Sequence, residues 1–248
     1  AVVDGGFTAS FAGVVRGDVE LAGNTLLSCR DGEVANGTTC ANARTRGATT
    51  GRVNNDWLMG PVDADGDAST SSSSAAELAQ GGEVVFAELV WSAREAAGPG
   101  GQAATGTPGV IRLATPAAGY QQVTASRVDR SGDAYQASAD VTSLVRAGGA
   151  GRYWAADIAA ATGSGRHAGW SLVVVTRSAT AAPRTIVVVD GLLPVIDVPM
   201  SVDVAVRRPN LSVPAHLGLV SYEGDWGLVG DGITCGSGGT QLADSANP

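Results

Sequence analysis

Two short runs of β-branched residues constrain the fold of this chain more than any other feature. Residues 170–176 and 185–190 are rich in Val and flank a polar connection that contains Pro183. Apolar runs of this length, bounded by glycine, proline and polar residues, are typical of buried strands and too short for helices. We therefore predict that the two runs are neighbouring strands at the centre of an all-β domain.

The rest of the sequence continues this pattern of short strands separated by turns. The 248 residues include 35 glycines, several of them in clusters at 98–101 and 148–151 that are typical of turns. One helical turn is predicted, at 139–146. The predicted fold is an all-β, two-sheet β-sandwich with jelly-roll or Greek-key links and very little helix. Its predicted strands are 7–15, 19–26, 82–93, 110–114, 121–128, 135–141, 151–158, 171–176, 185–192, 200–206 and 216–222.

We expect residues 1–248 to form a single domain, because sandwiches of this size commonly fold as one unit. Within it, residues 1–11 are predicted to be an edge or donor strand, and residues 233–248 a polar C-terminal tail. The polar stretch 68–76 is predicted to be an exposed loop or a flat edge strand. Only 5% of the residues are aromatic, so aliphatic side chains must fill most of the core. Trp91 and Trp170 adjoin apolar runs and are predicted to lie in that core.

The charge composition excludes some classes of partner. The formal net charge is -8 at pH 7, with a pI of about 4.7. Nucleic acid requires a clustered basic face, so no nucleic-acid partner is expected. All sixteen basic residues are arginine. Without lysine the chain cannot form Lys–Asn isopeptide cross-links, and any polymerisation through it would be noncovalent or use cysteine.

The start of the chain and its apolar runs favour secretion. The sequence begins at Ala1 without a methionine, as a mature secreted protein does after removal of its signal peptide and as an engineered fragment also would; we favour secretion. No apolar run approaches the roughly 20 residues that span a bilayer. We therefore predict a secreted protein, extracellular or on the cell surface, with no membrane span.

The cysteines support the same compartment. Cys29 and Cys40 enclose a polar segment full of turn-forming residues, and nearby histidine or further cysteine ligands for a metal are lacking. We predict a Cys29–Cys40 disulfide, which is worth roughly 3 kcal/mol for a loop of this size. Cys235 is then a free or intermolecular thiol, although the sequence alone leaves open its pairing with one of the other two cysteines.

A run of alternating acidic residues is the best candidate for a metal site. Asp63, Asp65 and Asp67 alternate in a turn-like segment, with Asp56 shortly before them. Carboxylates in this arrangement can converge on Ca²⁺, which binds six to eight oxygen ligands. The spacing does not match an EF-hand, and an extended strand would instead place the same carboxylates along a solvated face. Ca²⁺ is therefore the one cofactor that the sequence suggests.

Tryptophans outside the apolar runs suggest a second class of ligand. Trp57, Trp154 and Trp226 could stack against sugar rings if they lie exposed in loops, as the Asp or Gly beside Trp57 and Trp226 suggests. Exposure of two of them on one face would favour glycan binding, and burial of all three would remove most of its support.

The sequence favours a protein that is not an enzyme. It contains two histidines, and a nucleophile held by a base and a carboxylate could come only from Cys235, His216 and Asp231, whose spacing does not support the assignment. A glycosidase needs two carboxylates across a cleft, but a chain with 24 acidic residues always offers some such pair, so this feature does not indicate an enzyme. We therefore predict no catalytic residues.

Several short motifs occur in order along the chain. They are 23–27 (GNTLL), 54–56 (NND), 62–67 (VDADGD) followed by a serine run, 89–91 (LVW), 139–142 (ADVT), 168–175 (AGWSLVVV), 190–191 (DG) and 222–225 (YEGD). Together they resemble the N-terminal β-domain of large secreted actinobacterial surface proteins, which often carry DUF11-type repeats downstream. The resemblance implies a cell-surface or matrix β-domain and transfers no catalytic residue. Related chains would be expected to run on beyond Pro248, so this one is either a trimmed fragment or a self-contained subunit.

The N-terminal segment suggests how such a domain could act. Val2 and Val3 precede a Gly-Gly pair, after which Phe7 and Phe11 are predicted to share one face of a strand. Such a segment can add to the sheet edge of a neighbouring copy and build fibres without cross-links. An edge strand that pairs within its own domain has the same pattern. The predicted function is an extracellular structural protein that self-associates into filaments by strand exchange; the alternative is an adhesin or carbohydrate-binding module that recognises a glycan or host surface, with Ca²⁺ as its cofactor.

Overall fold

The computed structural model describes residues 6–45, 50, 53–195, 200–204, 216–222, 233–235 and 240–242. Its first strands and helix are β1 (Thr8–Thr25), β2 (Leu27–Ser28), β3 (Val34–Ala35), β4 (Thr38–Thr39), α1 (Cys40–Arg44), β5 (Gly60–Pro61), β6 (Ser73–Leu78) and β7 (Glu83–Arg94). A 3₁₀ turn spans Asn54–Asp56. The remaining elements are β8 (Val110–Thr115), β9 (Ala118–Thr124), β10 (Arg127–Ser131), β11 (Ala134–Asp140), α2 (Thr142–Gly148), β12 (Gly151–Ala156), β13 (Ala168–Arg177), β14 (Pro183–Asp190), β15 (Ile233–Cys235) and β16 (Thr240–Leu242).

Two antiparallel sheets form the body of the domain, which confirms the predicted all-β sandwich. The main sheet has six strands in the order β10-β11-β7-β13-β1-β14, and the second sheet has the order β6-β12-β8-β9. The chain passes repeatedly from one sheet to the other, because β6, β8 and β12 lie in the second sheet and β7, β10 and β13 in the main one. Such crossing links are those of Greek-key and jelly-roll sandwiches.

The hydrophobic core lies between the two sheets. Inward-facing residues of β7, β11 and β13 pack there against residues of β8 and β12. Trp91 and Trp170 are directly opposite each other on β7 and β13, and both are buried as predicted. The Trp170 indole nitrogen donates a hydrogen bond to Ser74 Oγ on the second sheet, 2.9 Å away. This bond joins β13 of the main sheet to β6, the edge strand of the second sheet.

The first strand differs from the prediction. Segments 7–15 and 19–26 were predicted as two strands, but they form one strand of 18 residues, β1. Its first half pairs with β14 and its second half pairs with β13. The sequence predicted that the valine-rich runs in β13 and β14 are neighbouring strands. This prediction is wrong, because β1 lies between them and pairs with both. A β-branched pattern indicates burial, but it does not identify the partner strand.

Other boundaries also moved. The predicted strand 121–128 is divided between β9 and β10, since a turn at 125–126 lets the two belong to different sheets. The described parts of the predicted strands 200–206 and 216–222 contain no strand longer than a single bridge residue. The second half of the serine run begins the predicted edge strand, β6, and its two residues, Ser73 and Ser74, are buried. Their hydroxyls are accommodated because each makes hydrogen bonds.

Gly17 marks the point at which β1 changes partner. A Cβ at this position would lie 1.7 Å from the main-chain carbonyl oxygen of Thr176, so only glycine permits the close approach of β1 and β13. We expect Gly17→Ala to lower the free energy of unfolding by about 1 to 3 kcal/mol, because two backbones must separate. Chemical denaturation measures this loss. Gly119→Ala in β9 is the matched control, since a Cβ there meets open space; equal losses in both variants would contradict the argument.

Among the described residues, no helix is long and apolar enough to cross a membrane.

Candidate strand-exchange interface

Residues 8–16 of β1, which we call the arm, pair only with β14. The ladder runs from Thr8 opposite Asp190 to Arg16 opposite Pro183. Within the described part of the chain, no strand pairs with the other edge of β14. Removal of the arm would therefore leave β14 with two open edges, the arrangement that accepts a strand from another chain.

The arm and β14 fold over the outer face of the main sheet. Along β7, Ala87 and Leu89 point into the central core, so Phe86 and Glu88 point the opposite way. The Phe11 ring stacks on Phe86 with 5.2 Å between ring centroids. A second apolar cluster is thereby enclosed, separate from the central core. Its members are Phe86, Val173, Val175, Ile186 and Val188, with Phe11, Val15 and Val85 packed against them.

A β-bulge sets the orientation of the arm. The register shifts between Ala9 and Phe11, so Ser10 and Phe11 both reach the main sheet. The predicted common face of Phe7 and Phe11 is therefore wrong, because the extra residue reverses the alternation before it. Phe7 lies instead against Gly191. Val2 and Val3, the other predicted exchange residues, lie outside the described residues.

A buried carboxylate lies beneath the arm. Glu88 is 5% exposed, and Ser10 Oγ donates a hydrogen bond of 2.9 Å to its Oε2. Burial, with the nearby charge of Asp190, raises the pKa of Glu88 to about 7, against the lowering effect of Ser10 and Arg127. Near neutral pH this carboxyl group therefore changes charge inside the arm contact.

The end of β14 is attached by an ion pair. Arg127 on β10 lies 2.8 Å from Asp190 and also 2.9 Å from Asp129. Asp190 is 7% exposed, so its charge depends on this arginine for compensation. The arm and β14 are thus held by an apolar cluster, the Ser10–Glu88 hydrogen bond and two ion pairs, Arg127–Asp190 and the exposed Arg184–Asp18.

The outward face of the arm is apolar at Ala12 and Val14, with Arg16 at its end. Val14 is 74% exposed and Ala12 is also exposed. These residues alternate with Phe11, Gly13 and Val15, which face the sheet or line its edge. A Cβ at Gly13 would lie 3.4 Å from the Phe11 ring, which is an ordinary van der Waals contact.

The predicted disulfide is confirmed, and it changes the role of Trp57. Cys29 and Cys40 are bonded, and Trp57 packs with them in a small buried cluster. Trp57 is 4% exposed, so it offers no face to a sugar ring. Its proposed stacking role is therefore wrong: the neighbouring Asp56 suggested a solvated loop, but the disulfide encloses the indole.

The remaining tryptophans give little support for a sugar platform. Trp154 is half-buried in the middle of β12, between Ala75 and Ala114 on the neighbouring strands. Tyr120 lies in β9 of the same sheet and is also half-buried. Trp226 is outside the described residues. Of the two predicted tryptophans that the structure describes, Trp154 alone is partly exposed.

Hydrogen bonds from Ser73 and Tyr120 hold Asp63 and Asp65 of the acidic run in place. Ser73 Oγ lies 3.0 Å from Asp63 Oδ1 and 2.7 Å from Asp65 Oδ1, and the Tyr120 hydroxyl donates to Asp65. Partial burial alone would raise the pKa of Asp65, but these bonds, with one from the backbone of Asp67, lower it overall. The described residues include no group of three or more His, Cys, Asp or Glu side chains placed to hold a metal ion. Asp56, Asp63, Asp65 and Asp67 thus do not form one such group.

Sequence reasoning missed the polar attachments of the arm. Nothing in the pattern pairs Ser10 with Glu88 or Arg127 with Asp190, which are far apart in the chain. One signal was present: Glu88 interrupts an otherwise apolar run in 84–91. The backbone of Cys235 is in β15, and its side chain lies outside what the structure describes.

Comparison of the chain with protein-family models, curated proteins and solved structures gives no significant match.

Proposed function

We propose that this chain is an extracellular structural protein of a cell surface or matrix that self-associates into filaments by exchanging its arm between subunits. The observation that carries the proposal is that residues 8–16 form the first half of β1, pair among the described strands only with β14, and continue into the rest of β1 through Gly17. Such a segment can leave and be replaced by the same segment of a second copy.

An exchanged arm makes the same contacts in a neighbouring subunit as it makes in its own. An arm from a neighbour would restore the ladder to β14, the Phe11–Phe86 stack and the Ser10–Glu88 hydrogen bond. Exchange therefore leaves the contact energy nearly unchanged and costs mainly the entropy of association, so high local concentration favours it. Passing the arm head to tail, from each copy to the next, is a heterologous contact, and such contacts build a filament when the rotation between copies does not close a ring.

Two observations support the extracellular part of the proposal, and the absence of lysine supports its noncovalent part. The Cys29–Cys40 disulfide is of the kind that persists in oxidising compartments. The chain has no lysine for isopeptide cross-links, so strand exchange supplies the cohesion that such bonds give elsewhere. The motifs also resemble those of secreted actinobacterial surface proteins. We infer a structural protein without catalytic activity.

A disulfide that locks the arm to its own β14 tests the proposal. Ala12 and Val187 are directly opposite in the ladder and face away from the main sheet, so Ala12→Cys with Val187→Cys leaves the apolar cluster intact. We expect the oxidised locked protein to remain monomeric at concentrations where the parent forms filaments, because its arm cannot leave. Sedimentation velocity and negative-stain electron microscopy measure the difference.

The control carries a disulfide across a hairpin that is not exchanged. Val110→Cys with Thr124→Cys joins opposite residues of β8 and β9 and is expected to assemble like the parent. In a Cys235→Ser background, mixing the two single variants, Ala12→Cys and Val187→Cys, should give a disulfide between position 12 of one chain and position 187 of another only if arms pass between chains. Equal assembly of the locked protein would overturn the exchange model. Dispersed parent monomers that bind a glycan would favour the adhesin alternative, including its Ca²⁺ dependence.

A further inference from the structure

The buried carboxylate beneath the arm is surrounded by more acid than base. Asp190 approaches Glu88 from β14, and Asp140 is its cross-strand partner on β11. Arg127 on β10 is the one basic group among those that act on Glu88. On the remaining sides lie Val173, its apolar partner on β13, and Tyr222, whose hydroxyl donates to the Val90 carbonyl 2.8 Å away.

The positive charge of Arg127 is already engaged. Its guanidinium contacts Asp190 at 2.8 Å and Asp129 at 2.9 Å, so it has little left to compensate an ionised Glu88. Ser10 donates only one neutral hydrogen bond to Glu88. An uncompensated charge in this contact opposes docking of the arm and β14, whereas a protonated carboxyl group fits it.

We propose that Glu88, with Ser10 and Asp190 above it, is a pH-sensitive latch: the protonated form holds the arm on the main sheet, and ionisation as the medium turns neutral or alkaline loosens the arm. This inference rests on the proposed function, since the arm is the segment exchanged between subunits. A swapped arm meets the same Glu88, so the latch controls how often an arm opens and hence the rate of exchange. Ionisation of Glu88 therefore changes the equilibrium between the monomer and the exchanged assembly little, because Glu88 has the same surroundings in both.

The direction follows from proton binding in the two states. In the docked state the pKa of Glu88 is about 7, and once the arm lifts and water reaches the carboxylate it returns towards the ordinary value of 4.5. Between pH 4.5 and about pH 7 the docked state binds more protons than the open state. Docking is therefore strongest below pH 4.5 and weakens as the pH rises to about 7. The opening equilibrium rises by up to about tenfold per pH unit in this window and is level above it.

Thiol labelling under the arm measures this opening in dilute, monomeric protein. Val188→Cys places a probe in the apolar cluster, and Cys235→Ser removes the native thiol outside the disulfide. Thiol reactivity itself increases with pH, so each rate is divided by that of the same protein carrying Glu88→Gln, which stays neutral. We expect this ratio to rise on the order of tenfold between pH 5.5 and 7.5 and then to level off.

Glu83→Gln is the matched control, because Glu83 lies on the same strand but is exposed and paired with Arg177. It should leave the pH profile of the parent unchanged. A flat ratio would overturn the latch, as would a ¹³C NMR titration of the Glu88 carboxyl group in the otherwise unaltered chain with a midpoint near the ordinary value. The labelling does not depend on assembly, so missing filaments with a rising ratio would reject the proposed function and leave the latch standing.

Discussion

Replacing Trp91 by alanine is expected to lower the free energy of unfolding by about 3 to 5 kcal/mol. Trp91 is fully buried in a central strand and lies between Trp170 and Ala137 on its two neighbours. Its indole nitrogen donates a hydrogen bond of 2.7 Å to the Pro108 carbonyl, which the substitution leaves without that partner. The largest loss arises from the cavity, because two sheets held apart by other side chains cannot collapse to fill it.

Urea denaturation followed by circular dichroism measures this effect. Trp154→Ala is the control, since the same side chain is removed from the half-buried middle of β12, where we expect a loss of about 1 kcal/mol. A loss at Trp91 no greater than that at Trp154 would mean that the space between the sheets is not the main core.

Removing the disulfide is expected to cost about 3 kcal/mol, the entropy of closing a loop whose ends are 11 residues apart. The variant is Cys29→Ala with Cys40→Ala, and its loss is measured by the same denaturation. Cys40 is fully buried against Trp57, so the change also opens the small cluster around the indole. Quenching of Trp57 fluorescence by acrylamide should therefore increase.

Reductant supplies the control for this experiment. It should destabilise the parent by a similar amount and leave the Cys29→Ala, Cys40→Ala variant unchanged, because the disulfide that the structure shows is already absent. Equal sensitivity of both proteins would place the stabilising effect elsewhere in the chain.

Local patterns in the sequence were enough for the fold class, the disulfide and most strands. Short Val-rich runs and glycine-rich turns predicted a β-sandwich, and burial of Trp91 and Trp170 followed from the apolar residues beside them. The spacing of Cys29 and Cys40 in a turn-rich loop predicted their bond. These features depend on residues close together in the chain, where composition and spacing largely determine the outcome.

Contacts between distant residues required the tertiary structure. Alternation in residues 7–26 showed strand character, but could not show that one strand pairs first with β14 and then with β13. Trp57 has polar neighbours in sequence, yet it is buried because the disulfide folds a distant loop over it. Residue type predicts whether a side chain prefers burial. The residues that cover the side chain lie elsewhere in the chain, so only the tertiary structure identifies them.

For the arm and its latch, too, some features could be predicted from the sequence and others required the tertiary structure. The sequence by itself determined that residues near the N-terminus form an apolar strand and that an acid interrupts β7. Only the tertiary structure decided that Ser10 and Asp190 lie over Glu88 and enclose it. The physical reason is that the charge state of a carboxyl group depends on its solvation and on charges within a few ångströms, and these groups are brought together only by folding.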